Sequence, residues 1–286
     1  REKRSNRPDF LKRYILIKLN SINIGNNYPF VLLAGPCVVE NREITFYTAE
    51  KIKEITAKLN IPFVFKSSYK KANRTNLNSF SGLGDDEALK ILDDIKNQLN
   101  VPIVTDVHSV EEIQKAKEVA DILQIPAFLC RQTELLIAAG ETGKIVNVKK
   151  GQFLAPEEMK HAAEKIESTG NKKIMLTERG TTFGYHNLVV DMRSLVIMHN
   201  LGYPVVMDAT HAVQMPGSGN VTGGNPTFIP YLAKAAAAVG IDALFLEVHP
   251  NPEKALSDAA SQLNLDFLEN VLVSVKKIDE ITKQNL

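Results

Sequence analysis

The chain has 286 residues, of which 44% are hydrophobic and 23% are charged, so it can form one large globular domain or two small ones. Its 34 Lys and Arg residues are balanced by 33 Asp and Glu residues, which excludes the overall basic field of a nucleic-acid-binding protein. No apolar run reaches the ~20 residues that span a bilayer, and two cysteines, Cys37 and Cys130, do not suggest a disulfide framework. These features predict a cytoplasmic protein without a nucleic-acid or membrane partner.

The N-terminal residues precede the main pattern of the chain. Residues 1–13 are basic and are not followed by the apolar region of a secretory signal, so we predict a mobile tail. Residues 14–24 alternate weakly between apolar and polar, and residues 25–27 read Gly-Asn-Asn, a turn signal. This pattern predicts a short β-hairpin before the main fold.

One theme then recurs along the chain: a short apolar run, a polar loop and an amphipathic helical stretch. The predicted strands are residues 30–34, 62–66, 103–106, 122–126, 145–149, 174–177, 205–208 and 244–247. The predicted helices are residues 43–59, 86–99, 110–120, 133–140, 156–167, 188–200, 228–240 and 266–282. Eight such units predict a (β/α)8 TIM barrel, which takes about 250 residues, in a single domain over residues 14–286. An open doubly wound sheet is the alternative, but no Gly-x-Gly-x-x-Gly motif follows any predicted strand.

A cationic stretch follows the second predicted strand. Residues 65–76 read FKSSYKKANRTN, in which Lys and Arg offer charges for phosphate or carboxylate and Ser, Thr and Asn add neutral donors. Because barrel enzymes place their chemistry at the carboxyl ends of the strands, cations at several strand ends are expected to converge. These cations are Lys66, Lys71, Arg74, Lys149 and Arg179. They predict a site for a polyanionic small molecule; the alternatives are a solvated basic loop and ion pairs across the barrel mouth.

A second group at or near the strand ends combines a thiol, an imidazole and two carboxylates. Its members are Cys37, His211, Glu247 and Asp258. This mixture of ligands suits Zn²⁺, Fe²⁺, Mn²⁺ or Co²⁺ better than Mg²⁺. The members are scattered along the chain without the short spacing of a zinc finger, so a small buried thiol is the alternative for Cys37.

Six motifs resemble those of the 3-deoxy-D-manno-octulosonate 8-phosphate synthases, and the resemblance as a whole covers about residues 14–263. They are FKSSYKKANRTN, DILQIPAFLCRQT, NVKKGQFLAP, LTERGTTFGYHNLVVDMRS, DATHAVQ and EVHPNPEKALSDAASQL. The related heptulosonate 7-phosphate synthases carry a Lys-Pro-Arg-Thr type of sequence where this chain has Ala72 and Asn73 between Lys and Arg. The resemblance implies condensation of phosphoenolpyruvate with D-arabinose 5-phosphate and water, for lipopolysaccharide biosynthesis, by a homotetramer. In that reaction the enol carbon C3 attacks the aldehyde, water adds at C2, and phosphate leaves by C–O cleavage.

The resemblance also implies roles for residues at matching positions. Those expected to bind phosphoenolpyruvate are Lys66, Lys71, Gln124, Lys149 and Arg179. Those expected around the aldose phosphate are Asn73, Arg74 and Thr75, and Asp106 is expected near the substrate hydroxyl groups. Ser68 is expected to bind substrate. The catalytic set is Lys66, Lys71, Asp106, Lys149, Arg179 and His211. The family has metal-dependent members with Cys and metal-independent members with Asn at the position of Cys37, so Cys37 implies the metal-dependent class, with His211, Glu247 and Asp258 as the other ligands.

Three positions depart from the family pattern. Thr75 stands where Ser is usual, His186 where Asn is common, and Asn225 where an Arg often follows a Gly-Gly pair. Two other functions stay open at this point. One is a heptulosonate phosphate synthase that uses erythrose 4-phosphate, and the other is a non-catalytic barrel that binds phosphosugars.

Overall fold

The computed structural model describes residues 15–25, 27–74, 76–77, 79–216 and 223–284. The predicted tail, residues 1–13, lies outside these ranges. The strands in chain order are β1 (Ile17–Leu19), β2 (Ile22–Ile24), β3 (Val31–Gly35), β4 (Phe63–Lys66), β5 (Ile103–Asp106), β6 (Ile122–Ile125), β7 (Ile145–Lys149), β8 (Ile174–Glu178), β9 (Thr181–Phe183), β10 (Asn187–Val189), β11 (Val205–Asp208), β12 (Gln214–Met215), β13 (Gly223–Gly224), β14 (Ala243–His249) and β15 (Leu263–Asn264).

Eight of these strands form a closed parallel barrel. Strands β3 to β8 pair in sequence, β8 pairs with β11, and β14 joins β11 to β3. This confirms the predicted (β/α)8 fold. The last barrel strand is longer than predicted, because its final residues Val248 and His249 pair with β15.

Helices follow the barrel strands and cover the outside of the sheet. They are α1 (Arg42–Leu59), α2 (Asp85–Leu99), α3 (Val110–Val119), α4 (Thr133–Glu141), α5 (Met159–Glu167), α6 (Arg193–Asn200), α7 (Ile229–Val239) and α8 (Leu265–Gln284). Helix α3 begins after Ser109, whose side chain caps it by accepting the backbone N–H of Glu112. Helix α1 ends where Asn60 adopts the left-handed conformation. None of the described helices is long and apolar enough to cross a membrane.

The predicted N-terminal hairpin, β1 and β2, contributes to the core at the amino-terminal end of the barrel. Ile17 and Ile24 pair across the hairpin and are buried with the first residues of the barrel strands, among them Val31 and Ile122. The two strands are joined by a turn at Asn20, which has a φ of 52°. The Gly-Asn-Asn signal follows the hairpin, where the backbone N–H of Tyr28 donates to the carbonyl oxygen of Gly25 at 3.2 Å. Apolar side chains therefore fill this end of the barrel, which leaves the opposite end for polar chemistry.

A second hairpin occupies part of a region predicted as helix. Strands β9 and β10 pair antiparallel between β8 and α6, so the helix begins at Arg193 and not at residue 188. The residues around the turn favour strands, since Thr and Val are β-branched and Gly184 takes a φ of 76°. Asp191 then accepts the backbone N–H of Arg193 at 3.0 Å and marks the start of the helix.

Candidate active site

The carboxyl ends of the barrel strands surround a cavity of about 500 Å³. This volume lies within the range of small-molecule sites. Many of the predicted site residues line it. They are Lys71, Asn73, Arg74, Asp106, Lys149, Arg179, His211 and Asp258. The fold thus brings together side chains that are far apart in the chain.

The other described members of the predicted set are buried next to this cavity. They are Cys37, Lys66, Ser68, Gln124 and Glu247, each with 0% exposure. Lys66 Nζ lies 3.9 Å from Asp106 Oδ2, and His211 Nε2 lies 3.6 Å from Glu247 Oε1, so the buried residues contact those that line the cavity. Thr75 lies outside the described residues.

A buried ion pair joins the ends of β4 and β14. Lys66 Nζ donates to Glu247 Oε1 at 2.8 Å and to the carbonyl oxygen of Cys37 at 3.3 Å. Burial opposes both charges, yet Glu247 and Asp106 raise the pKa of Lys66, and His211 and Lys66 lower the pKa of Glu247. Lys66 therefore makes the kind of ion pair across the barrel mouth that was the alternative to an anion site.

The side chain of Asp106 is the acceptor at the end of a buried hydrogen-bond chain. Ser68 Oγ and Gln124 Nε2 donate to its two oxygens. Gln124 Oε1 in turn accepts from Asn147 Nδ2 at 3.0 Å, and Asn147 Oδ1 accepts from Thr177 Oγ1 at 2.6 Å. Although burial opposes its charge, the neighbouring lysines lower the pKa of Asp106, so it is a fixed carboxylate.

Asp208, at the end of β11, connects two predicted site residues although it is absent from the predicted set. Its Oδ2 accepts from Lys149 Nζ at 2.7 Å and lies 2.8 Å from His211 Nδ1, while its Oδ1 accepts the backbone N–H of His211 at 2.8 Å. Burial opposes its charge, but His211 and Lys149 hold the pKa of Asp208 well below its usual range. A carboxylate only accepts, so Nδ1 of His211 carries a proton and Nε2 is the atom left for a ligand.

Arg179 lines the cavity, and part of its guanidinium group is unpaired among the described residues. Its Nη2 donates to Gln214 Oε1 at 2.8 Å, whereas Nε and Nη1 are buried without a hydrogen-bond partner in the described part of the chain. Burial lowers the pKa of Arg179. Two unused donors on a buried cation are unfavourable until an anion binds them, and the guanidinium fork suits a phosphate or carboxylate.

The four predicted metal ligands lie together. One ligand atom each from Cys37, Glu247 and Asp258 lie within 4.8 Å of one another, and His211 Nε2 is 3.8 Å from Asp258 Oδ2. Glu247 Oε2 is buried without a hydrogen-bond partner among the described residues. Burial, followed by the charges of Asp258 and Glu247, raises the pKa of the Cys37 thiol, which a bound cation would counteract. The donor set and the unused acceptor fit a divalent cation.

Two neutral residues hold the turn that carries Asp258, which has left-handed φ and ψ angles of 48° and 34°. Gln262 donates to the Ser257 carbonyl oxygen at 2.8 Å and accepts the backbone N–H of Cys37 at 3.2 Å. Ser257 Oγ accepts from Arg74 Nη1 at 2.8 Å and lies 3.2 Å from Cys37 Sγ. The hydroxyl group of Ser257 thus links a predicted metal ligand, Cys37, to a residue predicted to bind the aldose phosphate, Arg74.

Of the residues that the sequence analysis missed, Asp208 had a usable signal. It stands three residues before His211 at a strand end, a spacing that lets the carboxylate reach the imidazole. Asn147, Ser257 and Gln262 are neutral and follow no recognisable pattern. His249, which had no predicted role, is buried with its Nε2 3.6 Å from Glu40 Oε2.

The fold and the cavity define a (β/α)8-barrel enzyme for small anionic substrates. The model of the DAHP synthetase I family matches residues 13–284. A 2-dehydro-3-deoxyphosphooctonate aldolase of Rickettsia felis is 55% identical over 270 residues, which cover 94% of this chain and 98% of the relative. The enzymes of the same name from Rickettsia bellii and Rickettsia conorii are 55% and 54% identical, with the same coverage. The chain belongs to the DAHP synthetase I family, in its branch of 2-dehydro-3-deoxyphosphooctonate aldolases, also called 3-deoxy-D-manno-octulosonate 8-phosphate synthases, which confirms the resemblance of the motifs.

Replacing Asp208 by Asn should destabilise the protein. Asn keeps the shape but removes the charge that compensates buried Lys149, and breaking a buried ion pair costs about 3–5 kcal/mol. Urea unfolding in the presence of a chelator measures this without a contribution from metal binding. Asp191→Asn is the matched control, because Asp191 is exposed. An unfolding free energy of Asp208→Asn within about 1 kcal/mol of wild type, the range of a surface pair, would contradict this account.

Proposed function

We propose that this chain condenses phosphoenolpyruvate with D-arabinose 5-phosphate and water to give 3-deoxy-D-manno-octulosonate 8-phosphate and inorganic phosphate, a step toward lipopolysaccharide. The observation that carries the proposal is 55% identity over 94% of the chain to a relative named for this product, combined with a cationic cavity of about 500 Å³. The two substrates bring two phosphates and one carboxylate, which repel one another in solution. A cavity with several buried cations is suited to hold them together.

We assign the phosphoenolpyruvate end of the cavity to the cations on β7 and after β4 and β8. Arg179 offers Nε and Nη1 as a fork for a phosphate or carboxylate, and Lys149 and Lys71 line the same cavity. Lys66 and Gln124 are buried behind the residues that line the cavity, and they act by holding those residues or their neighbours in place. Lys66 holds Glu247 at 2.8 Å, and Gln124 donates to a cavity-lining carboxylate.

The aldose end of the cavity is assigned to the cationic loop, the part of the cationic stretch that follows β4. Asn73 and Arg74 line the cavity, and Thr75 follows them in the chain, so together they are proposed to hold the sugar phosphate. Asp106, fixed by a hydrogen bond from Ser68, is a carboxylate and accepts hydrogen bonds from sugar hydroxyl groups. In this proposal, the aldehyde carbon lies between the two groups of cations.

The chemistry then requires alignment and charge stabilisation. The enol double bond supplies the electron pair that joins C3 of phosphoenolpyruvate to the aldehyde carbon, which leaves C2 electron-poor. The oxygen of water adds at C2, and the C2–O bond to phosphate breaks, so phosphate leaves with the bridging oxygen. One proton of water ends on the former aldehyde oxygen and the other leaves with the phosphate. Lys149 and Arg179 stabilise the negative charges, and the cavity holds both reactants in position.

We further propose a resident divalent cation, Zn²⁺, Fe²⁺, Mn²⁺ or Co²⁺, held by Cys37 Sγ, His211 Nε2 and the carboxylates of Glu247 and Asp258. The proximity of these atoms and the unpaired Glu247 Oε2 support this proposal. When bound, such an ion polarises an aldehyde oxygen or positions a water molecule. The hydrogen bond from His211 Nδ1 to Asp208 keeps Nε2 available for it.

A homotetramer in the cytoplasm completes the proposal. The hairpin of β9 and β10 carries Phe183 and Tyr185 with 71% and 94% exposure, and Phe128 is exposed at the cavity wall. Exposed aromatic groups of this kind are typical of contact surfaces between chains. A mass of four chains in light scattering would support the tetramer, and a single-chain mass would contradict it.

A reducing compartment suits Cys37, which has to stay a free thiol to bind metal.

The choice of aldose separates this function from its alternatives. With phosphoenolpyruvate present, phosphate release should be at least about 100-fold faster with D-arabinose 5-phosphate than with erythrose 4-phosphate, because a site built for sugar hydroxyl groups rejects a shorter sugar. Release of phosphate is measured side by side with the two sugars. Turnover with only the four-carbon sugar would establish a heptulosonate phosphate synthase. Binding of phosphoenolpyruvate without turnover, under each of the candidate metals, would instead indicate a non-catalytic barrel.

Removal of metal should abolish activity. A strong chelator is expected to remove the ion and stop phosphate release, and added divalent metal should restore it, because the ligand set matches a transition metal. Cys37→Asn should lower the metal content of the purified protein, measured by elemental analysis. Cys130→Ala is the control, since Cys130 is also a buried free thiol. Full activity of the metal-free wild type would refute the metal proposal.

A further inference from the structure

Glu112 lies on the first turn of α3, is 8% exposed and is absent from the predicted set. Its Oε2 accepts the backbone N–H of His108 at 2.9 Å and lies 2.8 Å from His108 Nδ1. Its Oε1 accepts from Lys70 Nζ at 3.0 Å. One carboxylate therefore contacts both the loop after β5 and the cationic loop after β4.

The contact with His108 fixes which ring nitrogen carries a proton. Burial opposes the charge of Glu112, but hydrogen bonds from His108 and Lys70 lower its pKa to about 2, so it is a carboxylate at neutral pH. A carboxylate can only accept hydrogen bonds, so the 2.8 Å contact requires a proton on Nδ1 of His108. Since His108 lines the cavity together with Asp106, Nε2 is the ring nitrogen left for a ligand.

The contact with Lys70 anchors the loop that lines the aldose end of the cavity. Lys70 lies at the start of the loop that continues to Asn73 and Arg74, which line the cavity. Lys71, assigned to phosphoenolpyruvate, is also held independently, because its backbone N–H donates to the carbonyl oxygen of Ser81 at 2.8 Å and its Nζ lies 3.9 Å from Glu247 Oε1. A second acidic group near Lys70 is Asp85, whose Oδ1 lies 3.8 Å from Nζ. Glu112 makes the shorter contact and is the more buried acid.

We infer that Glu112 is a positioning residue for the sugar substrate: it presents His108 Nε2 to a sugar hydroxyl group and holds the loop that bears Asn73 and Arg74. The inference rests on the proposed function, because it assigns this end of the cavity to the aldose phosphate. It assigns no step of the reaction to Glu112 itself, which does not line the cavity.

Glutamine is an informative replacement for Glu112. It has the same shape, but only one oxygen, while Glu112 receives donors at both of its oxygens. If the amide oxygen faces Lys70, its NH₂ group opposes the backbone N–H of His108 and can bond Nδ1 only when Nδ1 is unprotonated. If the oxygen faces His108, the NH₂ group opposes the ammonium group of Lys70. One of the two contacts is therefore lost in Glu112→Gln.

The first test is nitrogen-15 NMR of histidine-labelled protein without substrates. In the wild type, the His108 ring nitrogens, assigned by comparison with His108→Gln, should show a protonated Nδ1 at neutral pH. A neutral ring with the proton on Nε2 would overturn the inference. This measurement does not depend on turnover or on the folding of a Glu112 variant, so it stands even if the enzyme uses another sugar.

The second test is steady-state kinetics of Glu112→Gln. The KM for D-arabinose 5-phosphate should rise roughly 10- to 100-fold, as for groups misplaced within a site, while the KM for phosphoenolpyruvate stays within about twofold. Glu111→Gln is the matched control, because it makes the same charge change on the same helix turn at an exposed position. Glu111→Gln should leave both KM values unchanged. Equal losses for both substrates in Glu112→Gln, or an unchanged KM for the sugar, would overturn the inference.

Discussion

Three buried carboxylates, Asp106, Asp208 and Glu247, hold the cations of the barrel mouth at a depth where water does not screen them. An unpaired charge in a protein interior is costly. Here Lys66 lies between Glu247 and Asp106, and Lys149 contacts Asp208 at 2.7 Å. The ion pairs stabilise the cavity before any ligand arrives. They also place positive charge where its attraction for a phosphorylated substrate is strongest.

The ion pairs with carboxylates separate two kinds of cation: those whose charge is already paired inside the protein, and those that keep donor atoms for a ligand. Lys66 is fully buried and held by Glu247, whereas Arg179 keeps two donor atoms unpaired in the described part of the chain. Glu247 also belongs to the proposed metal-ligand group, because Oε1 accepts from Lys66, Oε2 has no hydrogen-bond partner among the described residues, and one of its carboxylate oxygens lies within 4.8 Å of the ligand atoms of Cys37 and Asp258. The anion site and the proposed metal site therefore share a carboxylate. A substitution of Glu247 would therefore alter both groups of residues.

The fold and most of the site were predictable, because apolar runs indicate buried parallel strands and the ends of such strands meet at one mouth. The partners of the cations were not, since the contact between Lys149 and Asp208 depends on side-chain directions that no spacing in the sequence reveals. In the sequence, Glu112 is one of several acidic residues at a helix start, and Ser257 is uncharged and belongs to no recognisable pattern. The hairpin of β9 and β10 was missed because each strand has only three residues and the end of β10, residues 188–189, was included in a longer helical pattern.

A crystal structure with phosphoenolpyruvate bound is the most direct test of the claim that paired carboxylates prepare an anion site. The account predicts that the ligand occupies the cavity with a phosphate or carboxylate oxygen on Arg179 Nε or Nη1, and with Lys149 still in contact with Asp208. The ion pair between Lys66 and Glu247 should persist beneath it. Phosphoenolpyruvate bound elsewhere on the protein, or an Arg179 side chain that makes no contact with it, would contradict the account.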